Sequence, residues 1–537
     1  MIKFLGLLSV SMLTLLLAAC GSSSTTSEVS NATAPGTLAL DPPFRIASLN
    51  AATFGAELGA STSGAQLLQI TGAPSCGVDF YYLKFWTVGA ANETTESSGA
   101  LMVPTGGSGC SGPRPIVLYA HGTNTNRGLN IADITDPSNS EGALIAAMFA
   151  AQGYIVIAPN YAGYDISTLG YHPYVNAAQQ SGEMLNILAA GRTALPKSLT
   201  STTTDNGKLF VTGYSEGGYV AMATQRALQA AGATVTAAAP LSGPYAVEAF
   251  GDALLFGSVD LGSTVFAPLL ISGYQHAYGN IYSATTDIFS STYASGIDTL
   301  LPSTTPLDTL FANGALPTTA LFNKITPTTL GGQPLPPPLI AALAVPSNPA
   351  NPDTPLFDLG FGSPYLIIND YRASYALDAA SDPDGASPSP VTGMPLPGVP
   401  LAATAPKQML RLAFYKNDLR NGNWAPSSPT LLCGGGQDPV VFFANTQIMA
   451  EFWSALPAGL VTMLDVNAAP TANDPFATVQ AGFIGSQQLL LAFYESAAGG
   501  SLTPAAAEQQ LVLGYHGAVA PFCAVAARAF FAKIQGG

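Results

Sequence analysis

The most specific chemical pattern in the sequence is a serine between glycines. Residues 208–218 read KLFVTGYSEGG, so a G-x-S-x-G pattern centred on Ser215 lies between a strand-like run and a helix-like run. In a nucleophile elbow, such glycines let strand and helix approach closely around a sharp turn that projects the serine hydroxyl. The pattern therefore predicts a nucleophilic serine. The structural alternative is a glycine-rich turn with an incidental serine.

A serine hydroxyl is a weak nucleophile until an imidazole accepts its proton, and that imidazole needs an acid to orient it. The chain has four histidines. His276 lies in the irregular middle of the chain, His172 precedes the serine, and His121 directly follows a strand-like run. His516 alone follows both Ser215 and the last strand-like runs, so it is the candidate base.

The candidate acid is an aspartate between the serine and His516, just beyond a strand. Asp438 follows an apolar run and the glycines 434–436, whereas Asp465 ends the next strand-like run. We favour Asp438 because a glycine-rich turn can lift its carboxylate above the edge of a sheet. For either residue the structural alternative is a solvated or helix-capping aspartate.

The elements that must position these residues alternate along the chain. Strands are predicted at Phe80–Val88, Ala100–Val103, Ile116–Ala120, Tyr154–Ala158, Lys208–Thr212, Val235–Pro240, Thr430–Cys433 and Leu460–Val466. Helices are predicted at Glu141–Gln152, Val175–Ala190 and Glu216–Ala230. Short apolar strands separated by helices predict an α/β fold with a mostly parallel sheet covered on both faces.

The regular alternation ends after residue 244. The block 245–427 is rich in proline and irregular, and we interpret it as a cap inserted into one α/β core made of residues 46–244 and 428–537. Two sequential domains are the alternative. That alternative is less favoured because residues 430–537 contain too few strands to form a sheet alone.

Several motifs together resemble a known family. Their order matches that of an α/β-hydrolase: AHGT at 120–123, GYSEGG at 213–218, QDPV at 437–440 and YHG at 515–517. With APNY at 158–161 and HPY at 172–174, residues 75–245 and 428–535 resemble the secretory lipase family and related bacterial esterases. The resemblance implies an α/β-hydrolase fold in which Ser215 is the nucleophile, His516 the general base and then acid, and Asp438 the orienting carboxylate.

The resemblance also implies roles for the neighbours of the serine. The backbone amides of Glu216 and of Thr123, or alternatively Gly122, are expected to form the oxyanion hole. His121 and His172 are expected to be structural, His172 as a packed loop residue. Such families often have an aspartate where Asn160 stands. No metal or organic cofactor is required for this chemistry.

The N-terminus resembles a bacterial lipoprotein signal. Lys3 precedes an apolar run, and Leu17-Ala18-Ala19-Cys20 resembles a lipobox, in which cleavage precedes the cysteine and the cysteine is acylated. We therefore predict a signal peptide at residues 1–19, lipid on Cys20, a tether over 20–45, and a location on the outer membrane or cell surface. An ordinary signal peptide is the alternative. No other stretch is expected to cross a bilayer.

Export to an oxidising compartment makes disulfides the default interpretation of the remaining cysteines. Four are left after Cys20: Cys76, Cys110, Cys433 and Cys523. Sequence alone permits three pairings. The α/β-hydrolase fold implies Cys76 with Cys110, and Cys433 with Cys523, because Asp438 and His516 must meet.

Composition narrows the function further. The chain is 48% hydrophobic and 9% charged, so it is not a disordered chain. It carries 17 Lys and Arg against 32 Asp and Glu, with a formal net charge of −15, which excludes nucleic acid as an expected partner. The leading function is hydrolysis of small-molecule or lipid carboxylic esters through an acyl-enzyme. The alternatives are an exopeptidase or polyester depolymerase with the same triad, or a non-catalytic surface lipoprotein.

The lipobox yields a first prediction. Cys20→Ser should abolish acylation and move the protein out of the membrane fraction, because the thioether-linked lipid would be its anchor. Fractionation of cells, followed by immunoblotting, measures the shift. Membrane association that persists in Cys20→Ser until detergent is added would show a different anchor.

Overall fold

A computed structural model describes residues 33–136, 139–197, 202–347, 351, 353–386, 398–496 and 501–536. The predicted signal peptide, Cys20 and the first part of the predicted tether lie outside the described residues.

One large sheet of nine strands organises the chain. Its strands, in chain order, are β1 Phe44–Leu49, β2 Gly77–Val88, β3 Thr94–Thr105, β4 Pro113–Ala120, β5 Ile155–Pro159, β6 Thr204–Tyr214, β7 Ala237–Leu241, β12 Thr430–Gly434 and β13 Val461–Asp465. Four two-residue strands form separate small pairs: β8 Phe322–Asn323, β9 Thr329–Leu330, β10 Gln333–Pro334 and β11 Phe361–Gly362.

The strand order in the sheet is β1-β2-β3-β5-β4-β6-β7-β12-β13. The pairings from β1 through β3 to β5 are antiparallel, and the remaining five are parallel. Strands β5, β7 and β12 are buried along their whole length, as their continuous apolar sequences require. The predicted mostly parallel sheet is confirmed.

Helices cover both faces of the sheet. They are α1 Ala51–Gly59, α2 Thr62–Thr71, α3 Ser140–Met148, α4 Ala177–Ala194, α5 Glu216–Ala230, α6 Val247–Leu255, α7 Ser263–Tyr278, α8 Leu307–Ala312, α9 Pro337–Ala342, α10 Thr354–Asp358, α11 Asn369–Ser381, α12 Met409–Asn417, α13 Ala444–Phe452, α14 Ala477–Glu495 and α15 Pro504–Gly536. One apolar cluster packs α4, α5, α7 and α12 against one face, and a second packs α3 and α15 against the other.

The irregular middle block lies between two neighbouring strands. Helices α6 to α12 and the small strand pairs all come between β7 and β12. Thr430 of β12 aligns with Ala238 of β7, and Cys433 aligns with Leu241, so the sheet continues directly across the chain interruption.

The predicted tether over residues 20–45 extends too far, because its last residues are bonded to the sheet. The N–H of Gly36 donates to the carbonyl oxygen of Trp86, the N–H of Ala39 donates to that of Lys84, and β1 begins at Phe44. This segment therefore lies along the part of β2 that does not pair with β1. The exposed backbone of β2 supplies the hydrogen bonds that a free linker would lack.

The long helix α15 is the one element that bears on the expectation that no segment beyond the N-terminus crosses a bilayer. By length and composition it has the character of a membrane span, the one such helix among the described residues. Several of its apolar residues pack against the sheet: Cys523, Ala527 and Phe531 are fully buried in the cluster that includes β6 and β12.

Two disulfide bonds join the predicted pairs. Cys76 bonds to Cys110 near the β2 and β3 end of the sheet, and Cys433 bonds to Cys523, which ties β12 to α15. The second bond spans 90 residues of sequence. Because α15 also carries His516, this bond holds a candidate catalytic element to the sheet.

Loss of this bond should therefore affect function as well as stability. The double variant Cys433→Ser/Cys523→Ser should lower the free energy of unfolding by roughly 4 kcal/mol and lower kcat, because closing a loop of about 90 residues restricts the unfolded chain. Urea unfolding and ester hydrolysis measure the two effects. Cys76→Ser/Cys110→Ser is the matched control, expected to lower stability while kcat stays within about twofold.

Candidate active site

Ser215 lies at the turn between β6 and α5 with a strained backbone. Its φ is 61° and its ψ is −125°, a conformation that L-residues rarely adopt and that is typical of functional sites. A Cβ on Gly217 would lie 2.0 Å from the carbonyl oxygen of Ala120, and one on Gly218 would lie 2.2 Å from that of Leu241. Only glycines therefore permit β4, β7 and α5 to meet at this turn.

The structure brings the three predicted residues into one hydrogen-bonded chain. His516 Nε2 lies 2.9 Å from Ser215 Oγ, and His516 Nδ1 lies 2.6 Å from Asp438 Oδ2. The Asp438 side chain is fully buried, whereas the His516 side chain is 16% exposed. This order of atoms is the one that lets the imidazole accept the serine proton while the carboxylate holds the other ring N–H.

Several hydrogen-bond donors hold the Asp438 side chain in place. Its Oδ1 accepts the N–H groups of Val440 and Val441, and its Oδ2 accepts the hydroxyl of Ser242 at 2.9 Å. These bonds fix the carboxylate so that one oxygen faces His516. Ser242 was not predicted, since only the pairing of β7 with β12 brings it to Asp438.

Asp465, the alternative candidate for the acid, makes different hydrogen bonds. Asp465 Oδ1 accepts the N–H groups of Gly436 and Asn467, at 2.7 and 2.8 Å. Burial raises the pKa of Asp465, and these two hydrogen bonds act in the opposite direction. Asp465 thus fixes the glycine loop that precedes Asp438.

The other histidines lie away from the serine hydroxyl in contacts of their own. His121 is buried, with its ring nitrogens near the carbonyl oxygens of Gly122 and Asn160. The ring of His276 stacks on that of Tyr171 at 3.8 Å. Asn160, where related families often have aspartate, accepts the N–H of Ile131 and donates to Ser98.

The loop after β4 carries two backbone N–H groups that could face an oxyanion, those of Gly122 and Thr123, and only one of them has no acceptor. The N–H of Gly122 donates to both carboxylate oxygens of Glu141, at 3.0 and 3.2 Å, so it is not available to an oxyanion. Among the described residues, the N–H groups of Thr123 and Glu216 have no hydrogen-bond acceptor. These two amides therefore remain as candidates, and Gly122 does not.

Two further residues near the site were not predicted. Tyr214 donates its hydroxyl to the carbonyl oxygen of His516, and its ring lies 4.9 Å from the imidazole. Tyr119 donates its hydroxyl to Glu141 at 2.7 Å. Burial raises the pKa of both Glu141 and Tyr119. Only Tyr214 had a sequence signal, its place within the G-x-S-x-G pattern.

An apolar cavity opens beside Ser215. Its volume, counted as the space open to the centre of a water molecule, is about 90 Å³. Helices from the middle block supply most of its wall, including Val247, Phe250, Leu254, Phe266, Leu270 and Phe414. The described residues contain no group of three or more histidine, cysteine, aspartate or glutamate side chains that could hold a metal ion.

Solved structures with the same architecture are esterases and related proteins. The rice cell wall degrading esterase LipA from Xanthomonas oryzae has a TM-score of 0.63 and 23% sequence identity, over 92% of this chain and 98% of that chain. The protein has the α/β-hydrolase fold. A hydrolase-like protein from Legionella pneumophila has a TM-score of 0.57 and 16% identity, over 92% of this chain and 97% of that chain. No protein-family model matches the sequence, and no curated protein matches it significantly.

The two aspartates of this α/β-hydrolase fold can be distinguished by substitution. Asp438→Asn should lower kcat by about 10⁴-fold, as in other triads, because an amide cannot hold the required histidine tautomer. Asp465→Asn should change kcat by less than about threefold, since its side-chain oxygen still accepts the two loop amides. Steady-state kinetics of both purified variants test this, and the opposite ranking would assign the orienting role to Asp465.

Proposed function

We propose that this protein is a serine hydrolase that cleaves carboxylic esters through an acyl-enzyme. The observation that carries the proposal is the chain of hydrogen bonds from Asp438 through His516 to Ser215, beside an apolar cavity. The likeness to LipA, an esterase, agrees with this chemistry.

The reaction uses the geometry in two halves. Ser215 Oγ attacks the ester carbonyl carbon while His516 Nε2 takes its proton, and the amides of Thr123 and Glu216 receive the developing oxyanion. The carbon–oxygen bond then breaks as His516 returns the proton to the leaving alcohol. Water next attacks the acyl-serine with His516 as base, which releases the carboxylic acid and restores the serine hydroxyl.

The cavity determines the acyl group. The free space of about 90 Å³ is small and is lined mostly by apolar side chains, so it suits a hydrocarbon chain of limited length. Each buried methylene contributes about 0.8 kcal/mol to binding. We therefore propose esters of short to medium-length acyl chains as substrates.

The lining disfavours the exopeptidase alternative. An exopeptidase must bind a free amine or carboxylate, and the described lining of the cavity has no lysine or arginine. Its two acids are already bonded, Glu216 to His172 and Asp260 to Ser263. Attachment to the cell envelope through Cys20 is also part of the proposal and rests on the lipobox-like sequence.

The nucleophile is tested by removing one oxygen atom. Ser215→Ala should abolish ester turnover and labelling by a fluorophosphonate, because the attacking atom is gone while the elbow glycines remain. Activity assays, labelling and thermal unfolding check the three expectations. A Ser215→Ala variant that retains activity near wild type would refute the mechanism, and a wild type that neither turns over nor labels would favour a non-catalytic lipoprotein.

The acyl-chain preference is tested with p-nitrophenyl esters, and aminoacyl-anilides report peptidase activity. We expect kcat/KM to peak at a short to medium-length acyl chain and to fall for longer chains, because the free space of the cavity is limited. Ala267→Phe, which fills the cavity from α7, should move the peak to shorter chains. Ala492→Phe, on the exposed surface of α14, is the matched control and should leave the profile unchanged.

A further inference from the structure

One turn contacts both segments that carry the candidate oxyanion amides. His172 Nε2 lies 2.7 Å from the Glu216 carboxylate, and the Tyr174 hydroxyl lies 2.8 Å from Thr123 Oγ1. His172 and Tyr174 are two residues apart in the HPY segment. The segment therefore bonds to the side chains of the two residues whose N–H groups face no acceptor among the described residues.

The His172–Glu216 contact is a buried ion pair. Both side chains are fully buried. His172 Nδ1 lies 2.9 Å from the carbonyl oxygen of Ala162, so hydrogen bonds from both ring nitrogens to acceptors require the imidazolium. Burial lowers the pKa of His172, but the Glu216 charge and hydrogen bonds outweigh burial and leave the pKa raised. Gln180 donates to the same Glu216 oxygen at 2.6 Å, which further limits rotation of this side chain.

The Tyr174–Thr123 contact links the loop after β4 to the middle block. The Tyr174 ring stacks against Phe266 of α7, with 6.4 Å between ring centroids and 15° between planes. Helix α7 packs closely against the same turn, since a Cβ on Gly273 would lie 2.9 Å from the carbonyl oxygen of His172. Tyr174, Phe266 and Ser215 all line the apolar cavity.

We propose that the turn His172-Pro173-Tyr174 positions the oxyanion hole, with His172 acting through Glu216 and Tyr174 acting through Thr123. This inference rests on the proposed function. Both are positioning residues, because they orient the amide-bearing segments through side chains. Displacement of an amide by a fraction of an ångström weakens the oxyanion contact more than the contact to the ground-state carbonyl.

The expected signature is a loss in kcat without a loss in ground-state binding. Tyr174→Phe removes the hydroxyl and keeps the ring on Phe266. We expect kcat to fall by roughly 10–100-fold, less than the 10²–10³-fold loss of an oxyanion donor itself, with KM within about twofold. A boronic acid that mimics the tetrahedral intermediate should bind more weakly by the same factor.

The matched control is a tyrosine in the same segment. The Tyr171 hydroxyl donates to Glu93 and accepts the N–H of Ala90. Tyr171→Phe therefore removes a hydroxyl of similar burial whose partners lie elsewhere, and kcat and inhibitor affinity should stay within about twofold. Thermal unfolding of both variants separates lost stability from lost catalysis.

A double-mutant cycle tests whether the two hydroxyls act as a pair. Thr123→Val should match Tyr174→Phe in kcat, and the double variant should lose no more than either single variant. Thr123→Ser, which keeps the hydroxyl, should retain a higher kcat than Thr123→Val. Glu216→Gln should also lower kcat with little change in KM, because it removes the charge that holds His172.

The outcomes separate this inference from the proposed function. If the wild type hydrolyses esters and labels at Ser215 but Tyr174→Phe behaves like Tyr171→Phe, the positioning role is overturned and the proposed function stands. Additive losses in the double-mutant cycle would also overturn the paired role. If the wild type neither hydrolyses esters nor labels, the proposed function and this inference both fail.

Discussion

The close approach of β4 to the turn at Ser215 is the contact on which the site depends. The carbonyl oxygen of Ala120 occupies the space that a Cβ on Gly213 or Gly217 would need, at 2.4 and 2.0 Å. Main-chain packing, rather than a side-chain contact, therefore fixes Ser215 at the edge of the sheet. The loop that follows Ala120 carries Gly122 and Thr123, so the same approach sets the distance between the serine and the candidate oxyanion amides.

Asp438 and His516 are far from Ser215 in sequence, and contacts with neighbouring residues hold each of them near this turn. Ser242 follows β7 and bonds to Asp438, which follows β12. His516 is fixed by the Tyr214 hydroxyl and by the disulfide that ties its helix to β12 at Cys433. The middle block separates β7 from β12 in sequence, but the two strands pair directly in the sheet. That block can thus supply most of the wall of the apolar cavity without displacing the residues at the sheet edge.

Buried charges join distant segments within the middle block. Arg411 pairs with Asp252 of α6, and Arg420 pairs with Asp384 and Asp418. Burial raises the pKa of Glu248, which lies in the same cluster, to about 8. The charges of neighbouring aspartates act in the same direction, and that of Arg411 acts in the opposite one. Acids buried this deeply are tolerated when donors surround them. Helix α6 therefore has a charged face held by Arg411 and an apolar face toward the cavity.

The sequence alone determined the sheet strands near the site and which three residues were expected to meet there. Continuous apolar runs identified β4 to β7 within a few residues, because such runs are stable only between two layers of helices. The G-x-S-x-G pattern marked Ser215, and the order of histidines and aspartates left few partners for it. The helices α1 and α2, strand β1 and most of the middle block were not predicted, since their stability comes from packing against distant residues rather than from a local pattern.

Tertiary structure decided the contacts that give each group its role. Asp438 and Asp465 both follow strands, and only the hydrogen bonds of the folded chain place one on His516 and the other on the glycine loop. The Gly122 amide is excluded because Glu141, from α3, occupies it. His172 resembled an ordinary packed histidine in the sequence, yet the fold buries it against Glu216 directly behind the serine. These distinctions depend on distances between residues 19 to 78 positions apart, which no local sequence pattern encodes.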